Sequence, residues 1–90
     1  EVMSGFGRTG TFCAHESYRI VPDMMAAAKP IAAGLPLGAV LLNDKVAEQI
    51  KPGDHGTTFG GGPLATAVAL DVLQRIIEPE FLRQVGEKGD

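Results

Sequence analysis

Lys29 is the side chain in this sequence best placed to do chemistry. It is the one charged residue in positions 24–42, set between two apolar, small-residue segments. The run at residues 24–28 reads as a strand leading straight into the lysine. Pro30 then stops regular continuation, because it has no N–H and holds φ near −65°. A lysine at a strand end, close to buried surroundings, has its charged form disfavoured. A partly neutral lysine is a nucleophilic amine, the kind that forms Schiff bases. The plainer alternative is a strand-end lysine whose stem covers apolar surface while its head reaches water.

Two glycine-rich loops could serve such an amine. Residues 56–62 combine adjacent hydroxyls, Thr57 and Thr58, with four glycines. That composition offers hydrogen-bond donors with little steric obstruction and suits a phosphate. A flexible linker before a helix explains it equally well. Residues 4–10 hold Gly5, Gly7 and Gly10, a loop of demanding backbone geometry. It contains G-x-G but lacks the third glycine and the strand–helix context of a dinucleotide site.

The elements that must position these groups can be read from local signals. Thr9 or Thr11 can cap a short helix over residues 12–18. Strands are expected at 24–28 and 37–42, both buried, with a small-residue loop between them. Asn43 or Asp44 offers a cap for a short amphipathic helix carrying Val46 and Ile50. Pro63, after Gly62, opens the clearest helix. Over residues 64–77 its polar positions, including Asp71, Gln74 and Arg75, form one solvated stripe continued by Glu78, so most of its surface is expected to be buried. Glu78-Pro79 breaks it, and a last helix carries Phe81, Leu82 and Val85. The order implies an α/β fold, and two short strands with so apolar a helix need neighbours. The start at Glu1-Val2 and the end at Asp90 therefore read as cuts within a longer protein.

Composition narrows the partners. A net charge of −3 with no basic run argues against nucleic acid or a membrane surface. The apolar stretch at 24–42 is interrupted by Lys29, Pro30, Gly34, Pro36 and Gly38 and makes a poor membrane span. Cys13 is the only cysteine. It reads as a small buried side chain rather than a nucleophile, in a reducing compartment.

With these residues placed, the chain resembles the class III pyridoxal-phosphate aminotransferases of fold type I, nearest to the acetylornithine group with the ornithine group beside it. Three blocks carry the resemblance: residues 1–10 (EVMSGFGRTG), 22–39 (PDMMAAAKPIAAGLPLGA) and 53–65 (GDHGTTFGGGPLA). It covers essentially the whole chain and implies that residues 1–90 are part of the large cofactor-binding domain, truncated at both ends. It also implies that Lys29 is catalytic, forming the Schiff base with pyridoxal 5'-phosphate and moving the substrate proton. Thr58, 29 positions after Lys29, matches the residue that binds the cofactor phosphate across a subunit interface, with Thr57 the weaker candidate. Val2 matches the residue packed on one face of the pyridine ring.

The family aspartate that pairs with the ring nitrogen would lie immediately before Glu1. Met3 stands where acetylornithine enzymes usually carry glutamine, and methionine occurs there in other class III transaminases. The resemblance thus implies amino transfer between N-acetylornithine and 2-oxoglutarate in a homodimer with shared sites, in the cytoplasm or the mitochondrial matrix. It assigns no metal ligands. Another ω-amino-acid transaminase, or a non-catalytic homologue that only packs with a partner, are the alternatives. The 90 residues alone are expected to be inactive.

Overall fold

The computed structural model describes residues 1–89, so the chain-end reading at Asp90 lies outside them. Its backbone runs through a 3₁₀ segment Ala14–Tyr18, strand β1 (Met24–Ala27), a 3₁₀ turn Lys29–Ala32, strand β2 (Ala39–Leu42) and helices α1 (Asp44–Ala47), α2 (Pro63–Ile76) and α3 (Pro79–Gly89). The strands pair antiparallel, with Met24 opposite Leu42 and Ala27 opposite Ala39. Both are shorter than expected, because pairing extends only over those four residues.

Local chemistry explains the boundaries. Asn43 Oδ1 accepts from the Val46 amide and caps α1, while its Nδ2 donates to Asp23 Oδ1 at 2.6 Å. One side chain thus ties the end of β2 to the start of β1. Pro63 opens α2 with Gly62 as its cap residue, as the missing N–H of proline favours. The first 3₁₀ segment is capped differently from expectation. Its cap residue is Cys13, whose amide donates to Glu16 Oε1 at 2.8 Å. Thr11 instead donates its hydroxyl to the Cys13 carbonyl, and Thr9 pairs with Thr11.

The core gathers Phe6, Ala27, Ile31, Ala32, Ala69 and Ile76, with Phe12, Leu37, Val72 and Leu82 packed against it. Phe6 and Phe12 meet edge to face, with centroids 5.3 Å apart. The glycines of residues 4–10 serve this packing. Gly7 has φ +85°, and a β-carbon there would lie 3.0 Å from Ile76 Cγ2 and 3.2 Å from Leu82 Cδ2. Only glycine combines that backbone with such close approach. Cys13 is buried as expected, and burial followed by the Glu1 and Glu16 carboxylates pushes its thiol up. That disfavours the reactive thiolate.

Two burial expectations fail. In α2 only Ala69 and Ile76 are buried, whereas Leu64 is 72% exposed and Leu70 59%. In the strands Met24, Val40 and Leu41 are exposed, and only Ala27 is fully covered. The cause is the number of layers. The Lys29–Ala32 turn, α3 and the Phe6–Gly7 segment pack against α2, and among the described residues they leave Leu64, Leu70 and Ile77 exposed. A two-stranded ribbon likewise has no second layer of its own.

Candidate active site

The lysine sits on a built platform. Directly after β1 the chain folds into the Lys29–Ala32 turn, closed by the Ile31 amide donating to the Ala28 carbonyl at 2.9 Å and the Ala33 amide to Pro30 at 3.3 Å. Ile31 and Ala32 are 6% and 0% exposed and belong to the core with Ala69 and Ile76 of α2. The turn is bracketed by two left-handed residues, Lys29 at φ +24° and Ala33 at φ +50°. A non-glycine residue held there stores on the order of 1–3 kcal/mol, and persists only where its surroundings over-determine it. Here the buried Ile31–Ala32 pair does so.

The side chain of Lys29 does not follow the burial expected from its apolar neighbours. It is exposed, and its amine makes no hydrogen bond or ion pair among the described residues. Ala27, Ile31 and Ala32 beside it in sequence are buried in the core, while the lysine is exposed. The amine is therefore open to a ligand, on a base that cannot easily move.

In the second loop the two threonines differ. Thr57 Oγ1 accepts from the Gly60 amide at 3.1 Å and so closes the loop on itself. Thr58 is exposed, and its hydroxyl has no partner among the described residues. No atom lies within 4 Å of where a β-carbon would sit on Gly56 or Gly61, so backbone N–H groups there can be approached closely. Val2 lies in the turn formed by residues 1–5 and is 40% exposed. Two surface grooves are lined by none of Lys29, Thr58 and Val2. One, of about 280 Å³, runs past His15, Asp23 and Asn43; the other, about 420 Å³, past Met24, Val40 and His55.

The donor chemistry fits pyridoxal phosphate. A free amine on a rigid turn can hold an aldehyde carbon, and a free hydroxyl beside open glycine amides can hold a phosphate.

Sequence reasoning missed Glu1. Its carboxylate accepts from the Ser4 hydroxyl at 2.8 Å, the Ala14 amide at 3.2 Å, the His15 amide at 2.9 Å and His15 Nδ1 at 3.2 Å. Burial pushes this carboxyl up. The donors from the His15 amide, Ser4, the Ala14 amide and the His15 ring outweigh that and hold it at about 2, below its ordinary 4.5. Because the folded value is depressed, the stability that Glu1 contributes is present above pH 4.5 and is lost as pH falls from 4.5 towards 2. At neutral pH the fall from 4.5 to about 2 corresponds to at most about 3 kcal/mol, of which solvent screening leaves about 2 kcal/mol. Urea unfolding of full-length wild type and Glu1→Gln should differ by about that much at pH 7 and converge towards pH 2. The local spacing carries no signal for this, since two of the partners lie 13 and 14 positions away.

No helix among the described residues is long and apolar enough to cross a membrane. The comparisons agree in one direction. A probable mitochondrial acetylornithine aminotransferase from Dictyostelium discoideum is 58% identical over 92 residues, covering 99% of this chain and 20% of its own length. The crystal structure of acetylornithine aminotransferase from Elizabethkingia anophelis superposes with a TM-score of 0.91 at 38% identity, covering 99% of this chain and 22% of that one. Ornithine aminotransferase from Toxoplasma gondii ME49 gives 0.91 at 36% identity, over 99% and 21%. The chain thus spans about a fifth of the length of the relatives it matches. The family model described as aminotransferase class III matches residues 1–90, and the chain belongs to that family of pyridoxal-phosphate-dependent α/β enzymes.

Proposed function

We propose that residues 1–90 are the lysine-bearing part of the large cofactor-binding domain of an enzyme that transfers an amino group between N-acetylornithine and 2-oxoglutarate. The observation that carries this reading is the exposed amine of Lys29 on a strained turn, anchored by Ile31 and Ala32. The names of the relatives support the donor. Pyridoxal phosphate, when bound, supplies the electron sink. Lys29 Nζ holds it and, as a free amine, carries the proton removed from the amine-bearing carbon of the substrate. Thr58 Oγ1 would hold the phosphate as a hydrogen-bond donor, and Val2 would supply an apolar contact to the ring.

Thr58, exposed and with its hydroxyl unpartnered among the described residues, fits serving the site of a second copy, in a homodimer. The buried, unpaired Cys13 supports a reducing compartment, the cytoplasm or the mitochondrial matrix. The partners are then an amino donor and a 2-oxo acid, with no role for nucleic acid or membrane.

Met3 favours a second reading. It is 64% exposed, and a thioether donates no hydrogen bond, unlike the glutamine usual at this position in acetylornithine enzymes, so the alternative is another ω-amino-acid transaminase. The test compares kcat/KM of the full-length enzyme for N-acetylornithine, ornithine and other ω-amino acids, each with 2-oxoglutarate. A preference for N-acetylornithine supports the first reading, and a preference for another ω-amino acid replaces it with the second. Absence of turnover with all of them leaves a non-catalytic homologue.

Thr58→Ala should weaken cofactor binding by roughly 10- to 100-fold, the loss of a hydrogen bond to a charged group. Thr58→Ser should retain most of the affinity. Thr57→Ala should weaken binding less, since its hydroxyl already serves Gly60. Absorbance titration of the apoenzyme with pyridoxal phosphate reads all three.

A further inference from the structure

We propose that Glu1 is a positioning residue for the cofactor ring, acting through Val2; this rests on the function proposed above. Residues 1–5 form a tight turn, in which the Gly5 amide donates to the Glu1 carbonyl at 3.1 Å. A β-carbon on Gly5 would lie 2.8 Å from Glu1 Cβ and 2.9 Å from its carbonyl oxygen, so the closure depends on that glycine. The Glu1 side chain is only 9% exposed. Its Oε2 takes the Ser4 hydroxyl and the Ala14 amide, and its Oε1 takes the His15 amide and ring.

One carboxylate therefore closes the turn on itself and fastens it to the start of the Ala14–Tyr18 segment. Val2, the next residue, presents a half-exposed apolar side chain from a backbone that cannot rotate without leaving half-buried donors unpaired, which is costly. A glutamine in place of Glu1 offers one oxygen and one NH₂. Its NH₂ must face either the Ala14 amide or the His15 amide, so one backbone donor of the clamp loses its acceptor.

The experiment uses the full-length holoenzyme loaded with pyridoxal phosphate. Glu1→Gln is expected to shift the absorption band of the bound cofactor and displace its pH titration. It should also lower kcat by about 10- to 100-fold, as for a reacting group misplaced by a fraction of an ångström to an ångström, with KM for the 2-oxo acid changed far less. A purely structural role would lower the unfolding temperature while leaving band and kcat as in wild type, and that result overturns the proposal. If Glu1→Gln does not fold, Ser4→Ala removes a single donor and should move band and kcat in the same direction by less; an unchanged band there overturns it equally. A wild-type enzyme with no cofactor band overturns the proposed function and this inference with it. A normal wild-type band with an unaltered variant overturns only this inference.

Discussion

Lys29→Ala in the full-length enzyme is expected to lower transamination by at least roughly 10²- to 10⁴-fold, the contribution of a positioned acid–base group, with loss of covalent attachment added to it. Lys29→Arg should be as inactive, because a guanidinium stays protonated and cannot act as a nucleophilic amine. The substitution also separates chemistry from backbone geometry. Lys29 is held at φ +24°, a conformation that costs glycine less than any residue with a β-carbon. Lys29→Gly should therefore be more stable than Lys29→Ala, by about 1 kcal/mol, while both are inactive. Steady-state assays together with urea unfolding of the three variants check both halves. Equal stability of the glycine and alanine variants would show that the turn is not strained at Lys29.

Ile31→Ala is expected to have the second largest effect. Ile31 is 6% exposed and packs with Phe6, Ala32, Ala69 and Ile76. Truncating such a side chain removes its transfer free energy and leaves a cavity, about 2–5 kcal/mol together. Ile31→Val should lose only about 0.5–1.5 kcal/mol. Because Ile31 also closes the turn through its amide to Ala28, the alanine variant loosens the base on which the amine stands. Activity should therefore fall in Ile31→Ala under conditions where it is still folded. The comparison is Ile76→Ala, equally buried at 7% but on α2. A similar loss of stability with little loss of kcat there would assign the Ile31 effect to the lysine turn.

Local signals in the sequence carried the helix starts at Asn43 and Pro63, the two strands, and the placement of Lys29 at a strand end. These depend on residues within one turn of each other, where capping and proline geometry act. What depended on distant residues was not legible in that way. Asp71 and Arg75 sit on the exposed stripe as expected, paired at 3.0 Å, but the apolar residues Leu64, Leu70 and Ile77 beside the covered Ala69–Ile76 face of α2 are open as well. Its periodicity describes a surface to be covered and says nothing of which residues cover it. The same holds for Val40 and Met24. Threonine was favoured over Cys13 as the cap of the first 3₁₀ segment because hydroxyls are the usual caps; the reciprocal bond from the Cys13 amide to Glu16 is what closes that end. The clamp at Glu1 needed Ala14 and His15 brought back by the fold. The left-handed conformation of Lys29 had no sequence signal, since glycine is the residue that announces it.

The most direct test of the central claim is to reduce the full-length, pyridoxal-phosphate-loaded protein with borohydride, digest it, and map the modified peptide by mass. A pyridoxyl adduct on Lys29 is expected. A folded protein that carries the adduct elsewhere, or carries none, contradicts that claim.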